Sequence, residues 1–404
     1  MKKALIFVTI AICFSCKKEQ QNTLKIGIWR AEIKVMDEEM LPFNFEVTSA
    51  HSLKIFNADE VIFVDDITYR NDSVFINMPS FDSYYIAAKL SDGKFEGKFI
   101  EESRDRIVSI KAEFGQSERF KVIEKPATNI SGNWETVFGN DKENEEIPSL
   151  GVFEQKGNRV TGTIRTTTGD YRFLDGILNG NQLKLSTFDG SHVYLFTATV
   201  TDSTINGMYY SGNHYSEPFS AKRNETYELP DPESLITLNE GHDTLEFSFP
   251  DTSGHMVSLS DDRYKNKVVI VQLMGSWCPN CLDETKFYSQ YFREHKDQSI
   301  EFVALAFEYA KTEEKAFKSI ERLKRSIGIE YPVLLAQYGT TDKALAQEKL
   351  PMLNRVLSYP TTIILDKAGK VRKIHTGFNG PATGDKYITF KEDFESFVEM
   401  LLEE

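Results

Sequence analysis

Two patterns of apolar and polar positions divide this chain. From Leu24 to about Arg223 the residue classes alternate in short runs such as NRVTGTIRTT, RFLDGILNGNQLKLSTFDGSHVYLFTATV and STINGMYYSG. A period of two sends alternate side chains to opposite faces of a sheet, so these runs predict half-buried antiparallel strands. The Asn-Gly and Asp-Gly pairs between them supply the backbone freedom that tight hairpins require. After about residue 240 the pattern changes. KNKVVIVQLMG and SIEFVALAF are continuous apolar runs that predict strands buried on both faces, while NCLDETKFYSQYFREH, TEEKAFKSIERLKRSIG and FKEDFESFVEMLLEE carry helical spacing. With TTIILD and KVRKIHTG closing a strand pair, 241–404 reads as a layered α/β domain with a mainly parallel centre. The intervening ETYELPDPESLITLNEGHD sets acidic residues around two prolines with little periodicity, which predicts a linker at 226–240.

The β region repeats itself. Trp29 and Trp134, Phe81 and Phe188, and Gly97 and Gly207 recur at offsets of 105, 107 and 110 residues. So steady an offset indicates a duplicated β unit, with copies at 24–125 and 128–225. Each copy opens on Gly-x-Trp and continues as a meander of hairpins, which resembles the lipocalin-like, or calycin, up-and-down barrels. That resemblance implies barrels, with a sandwich as the alternative, and makes Trp29 and Trp134 buried core aromatics rather than ligand contacts. The fold class is therefore multidomain, a duplicated all-β region followed by an α/β domain.

Charge narrows the partners. A formal net charge of -14 with no basic cluster excludes a nucleic-acid partner, because phosphate binding needs grouped Lys and Arg. The opening MKKALIFVTIAICFSC has two lysines, an apolar run from Ala4 to Phe14 too short to span a bilayer, and then Ser15 and Cys16. This is the order of a signal peptide, assigned to 1–15. Small Ser15 before Cys16, with polar KKEQQN after it, resembles the lipobox of bacterial lipoproteins; Cys13, between Ile12 and Phe14, fits less well. The resemblance implies that Cys16 carries lipid and anchors the chain in the cell envelope of a Gram-negative-type bacterium, facing the periplasm or the cell surface.

Of the four cysteines, Cys278 and Cys281 then remain, inside MGSWCPNCLDE. A structural zinc would need a second Cys-x-x-Cys or a His-x3-His, and neither occurs. A purely structural disulfide across a two-residue loop would restrict the unfolded chain very little. Redox exchange fits best. A strand running into Cys-Pro-Asn-Cys and then a helix puts Cys278 at a helix N-terminus, where unpaired N–H groups and the helix dipole favour thiolate. Pro279 suits the first helical position, and Cys281, one turn on, can resolve a mixed disulfide.

With LEFSFPDTSGHMVSLSDDRYKNKVVIVQLMGSWCPNC and YPTTIILDKAGKV, residues 245–404 resemble the thioredoxin-fold thiol–disulfide oxidoreductases of the TlpA/ResA type, in the wider redoxin superfamily. The resemblance implies a cis peptide before Pro360. It also implies substrate contacts from Trp277, Tyr359 and Pro360, and no cofactor or metal. Thioredoxin's buried Asp is replaced here by Gln272, whereas the TlpA/ResA group has a Glu three residues after the second cysteine, here Glu284. Three residues on a helix put Glu284 on the face of Cys281, able to take its proton, and Asp283 reads as the solvated carboxylate of the pair. Implied partners are protein thiols or disulfides and an upstream membrane thiol carrier. Two other readings stand beside this one. The β region could be a binding module that recruits a partner for the redox domain. A peroxiredoxin is the other: Ser276 fits its hydroxyl position, but Val271 occupies its proline position. His375 reads as a strand-end histidine, and GFNGPATG lacks the context of a phosphate cradle.

Overall fold

The computed structural model describes residues 22–79, 81, 84–101, 106–139 and 148–404; the signal segment and the lipidation candidate Cys16 lie outside them. Nine strands from Gly27–Lys34 to Arg106–Phe114 form one antiparallel sheet, and nine from Gly132–Phe138 to Tyr215–Arg223 form a second. In the second, Pro148–Lys156 pairs with both Gly132–Phe138 and Arg159–Thr166, and Gly132–Phe138 pairs with Tyr215–Arg223. The ladder closes on itself as a barrel, which removes its edges. In the first sheet Gly27–Lys34 pairs with Arg106–Phe114. Its ladder ends at Glu60–Val64 and Asp66–Arg70, which no pairing joins among the described residues. The region is thus β-rich and barrel-like.

The repeat shows itself atom by atom. Gly27 and Gly132 take φ of 124° and 115°, the left-handed side that glycine tolerates best, and each leads into a buried tryptophan two residues on. Trp29 Nε1 donates to the Lys25 carbonyl and Trp134 Nε1 to the Ile130 carbonyl, each at 2.9 Å and each four residues back. Gly97 lies opposite Ala88 and Gly207 opposite Ala198, and a Cβ on either would stand 2.1 Å from a backbone oxygen of the neighbouring strand. The two β units pack together through Phe43 and Phe188, whose rings lie 4.4 Å apart. Asn57 adds a donor to the Phe188 carbonyl and an acceptor for its N–H.

The C-terminal domain is built on a five-stranded sheet in the order Val333–Gln337, Ile300–Phe307, Val268–Met274, Thr361–Leu365, Val371–Thr376. The first three strands are parallel, Thr361–Leu365 runs antiparallel to the central strand, and Val371–Thr376 runs antiparallel to Thr361–Leu365. All seven residues of the central strand Val268–Met274 are buried, as its apolar run predicts, and its one polar residue, Gln272, is buried with the rest. Helices α1 (Pro279–Glu294), α2 (Glu313–Ile327), α3 (Lys343–Lys349) and α4 (Asp385–Glu403) cover it. Helix α2 begins on the Thr312 cap and ends on Gly328 at φ 74°, as Thr at the start and Gly at the end of its pattern anticipate. The proline-bearing segment at 226–240 is laid along this domain: Ile236 is buried, and Asn239 N donates to the Met352 carbonyl at 2.8 Å. Among the described residues no helix is long and apolar enough to cross a membrane.

Candidate active site

The central strand delivers Met274 to a loop, Gly275-Ser276-Trp277, that is held from the neighbouring strand. The buried Glu308 carboxylate accepts from Ser276 N at 2.8 Å and from Ser276 Oγ at 2.6 Å. Trp277 Nε1 donates to the Phe307 carbonyl at 2.9 Å, and its ring lies 4.3 Å from that of Tyr309. Only glycine fits at 275, since a Cβ there would meet the Trp277 indole at 2.3 Å.

Cys278 is the N-cap of α1 and Pro279 its first residue. The Cys281 N–H points at the Cys278 sulfur at 3.1 Å, one of the free donors of the first helical turn. Cys278 and Cys281 are joined as a disulfide with their Cα atoms 5.2 Å apart, Cys278 being 4% and Cys281 0% exposed. From across the sheet the Tyr359 carbonyl oxygen lies 3.4 Å from the Cys278 sulfur, and the Tyr359–Pro360 peptide is cis. Trp277, next to Cys278 in the chain, lies edge-on to Tyr359 with ring centroids 6.1 Å apart, and Pro360 follows Tyr359 across the cis peptide.

Glu284 is wholly buried on α1. Its Oε2 accepts from Gln272 Nε2 at 2.7 Å, while Oε1 accepts from the Thr362 hydroxyl at 2.9 Å and the Tyr288 hydroxyl at 3.3 Å. Burial pushes its carboxyl up to about 7, and those three hydrogen bonds pull the other way without overcoming it. The Gln272 that cannot itself take a proton therefore holds the carboxyl that can. His375 sits near the end of Val371–Thr376, opposite Thr362, as a strand-end residue. Ser276, which suggested a peroxidatic hydroxyl, is committed to Glu308.

One expectation is corrected. Asp283 is not a solvated carboxylate but is 8% exposed and paired with Arg172 of the second barrel, itself 3% exposed. The reason is non-local: the barrel lays residues Gly169 to Arg172 across the first turn of α1, so the helix face that would meet water meets another domain. Arg172 and Glu308 both bear on the cysteine loop and both escape the sequence pattern. Glu308 had a faint signal, a carboxylate directly after an apolar buried strand; Arg172 had none.

Residues 239–388 match the Redoxin family. Over 143 residues the chain is 29% identical to the thiol-disulfide oxidoreductase ResA of Bacillus subtilis, which covers 35% of this chain and 69% of that protein. It is 29% identical over 142 residues to the thioredoxin-like protein YneN of the same organism, covering 35% and 74%. A thiol:disulfide interchange protein of the thioredoxin family from Chlorobium tepidum overlays 41% of this chain and 99% of its own at 21% identity, with a TM-score of 0.30. The C-terminal domain is a TlpA/ResA-like thioredoxin-fold oxidoreductase, carrying an additional β-rich region on its N-terminal side.

Proposed function

We propose that this protein is an exported, lipid-anchored reductase of protein disulfides, held in the cell envelope through Cys16 and recharged by a membrane thiol carrier. The observation that carries the reading is the Cys278–Cys281 disulfide at the start of α1, facing the carbonyl of Tyr359. In the cycle a carrier dithiol first reduces this disulfide and is itself oxidised. The Cys278 thiolate, favoured by the N-terminus of α1, then attacks a partner disulfide; one partner sulfur leaves as thiolate and a mixed disulfide forms. Cys281 gives its proton to the Glu284 carboxylate and attacks Cys278, so that the Cys278–Cys281 bond forms and the second partner sulfur departs. A carboxyl that titrates near 7 is matched to this task at neutral pH, since it takes a proton readily and also returns it. Trp277, Tyr359 and Pro360 line the approach, with the backbone of Tyr359 offered to an extended partner segment.

The test is insulin-type disulfide reduction by the full-length protein with an excess of dithiol. Wild type should be active and Cys278→Ala inactive; an inactive wild type with both cysteines intact rules the reading out. Equilibration with glutathione sets the direction of electron flow, a potential well below that of the glutathione couple supporting the reductase and one well above it an oxidase.

A further inference from the structure

The two residues between the cysteines are covered by the second barrel. Asn280 Nδ2 donates to the Asp170 carbonyl at 3.3 Å, and Gly169 leaves so little room that a Cβ there would lie 2.0 Å from the same nitrogen. Arg172 Nη1 donates to the Pro279 carbonyl at 3.3 Å and pairs with the Asp283 carboxylate one turn into α1. The rest of the guanidinium pairs with Glu60 of the first β unit and faces Asp189 at 3.6 Å. The Arg172 backbone N–H donates to Asp170 Oδ1, and Asp170 Oδ2 accepts from Gly380 N of the C-terminal domain, both at 2.7 Å. One guanidinium therefore ties both β units to the loop that carries the disulfide, beside Cys278.

Resting on the dithiol–disulfide reading above, we propose that Arg172 and the turn from Gly169 to Arg172 belong to the redox centre, fixing the Pro279–Asn280 loop and setting the stability of the Cys278 thiolate. Asp283 is a buried negative charge in the early part of α1 and disfavours a thiolate at its N-cap. Arg172 offsets that charge from a position where solvent screens little. Lys286 lies 3.6 Å from Asp283 as well, but its side chain is half exposed and its field is damped by water. Stabilising the thiolate stabilises the reduced protein and raises its potential, and destabilising it does the reverse. The β region is then a working part of the redox site as well as a neighbour of it.

The experiment exploits the opposite signs of the two partners. In the full-length protein, Arg172→Gln and Asp283→Asn are compared with wild type by the pH dependence of Cys278 alkylation after reduction and by the equilibrium with glutathione. Arg172→Gln should move the alkylation profile to higher pH and shift the equilibrium about three- to tenfold towards the disulfide. Asp283→Asn should move both in the other direction. Shifts of the same sign in the two variants would indicate loosening alone and overturn the proposal, as would no shift in either. Should Arg172→Gln fail to fold, Asp283→Asn decides by itself: a move to lower pH supports the assignment, and an unchanged or higher profile refutes it. A wild type that never equilibrates with glutathione sinks both the proposal and the oxidoreductase reading; an active wild type with unshifted variants sinks the proposal alone.

Discussion

Replacing Glu284 by Gln should remove a pH-dependent weakness from the C-terminal domain. The carboxyl titrates at about 7 in the fold against an ordinary value of 4.5, chiefly because burial disfavours its charge. Its protonated form is the one the fold prefers, so the stability it confers is complete below pH 4.5. That contribution drains away as pH rises and is gone once pH has passed 7. A gap of about 2.5 pH units corresponds to about 3 kcal/mol. Gln cannot ionise and would not incur this loss. Its carbonyl can still serve the Thr362 and Tyr288 hydroxyls, and its amide can be met if the Gln272 amide turns over and Thr285 changes from donor to acceptor. The assay is native-state hydrogen exchange in the oxidised full-length protein, read on the amides of Val268–Met274 and corrected for intrinsic rate at pH 4, 6 and 8; it isolates this domain where a global unfolding curve would mix three. The advantage of Glu284→Gln over wild type should grow by about 3 kcal/mol from pH 4 to pH 8. Parallel pH profiles for the two proteins would show that Glu284 is not the titrating group and refute the reasoning.

Two further outcomes are expected. Cys281→Ser should accumulate a mixed disulfide on Cys278 with a model disulfide substrate, visible as a mass adduct that dithiothreitol removes; free Cys278 under the same conditions would reverse the assignment of attacking and resolving thiols. Gly207→Val places a Cβ about where the Thr197 carbonyl oxygen already stands, at 2.1 Å, and should destabilise the second barrel by about 3 kcal/mol in urea unfolding followed by circular dichroism, a normal midpoint being the contrary result.

What could be read from sequence is what neighbouring residues decide. The strand, the glycine before Trp277, Cys-Pro-Asn-Cys and α1 are contiguous, so the cap geometry of Cys278 follows from spacing alone. The Gly-x-Trp repeats were legible for the same reason, because each indole bonds to a carbonyl four residues back. Closure of the β units was not. Pairing of first with last strand occurs in both, yet the first ladder breaks between Glu60–Val64 and Asp66–Arg70 and the second has no such break. Asp283 shows the other limit. A helical wheel assigns it to a solvent face, and 111 residues of chain separate it from the arginine that covers that face.

The cluster around Arg172 is a costly way to hold domains together. Four carboxylates, Glu60, Asp170, Asp189 and Asp283, surround one guanidinium. Burial alone would lower the arginine, and the carboxylates raise it well above its ordinary value, whereas burial lifts Asp170 to about 6 against the pull of Arg172 and the Gly380 N–H. Such clusters gain little over apolar packing of equal volume, since the desolvation of each charge offsets most of the attraction. Their return lies in geometry. A guanidinium offers five donors in one rigid plane, which lets Arg172 reach Pro279, Asp283 and Glu60 at once, as a flexible lysine with its single charge centre would not. The position also demands an unusual backbone, φ 64° at a residue other than glycine, of a kind that surrounding structure must enforce. A leucine-lined junction would have joined the β units to this domain as firmly, but it would have left the Pro279 carbonyl without that donor and Asp283 with only the half-exposed Lys286 to oppose its charge at the foot of the redox helix.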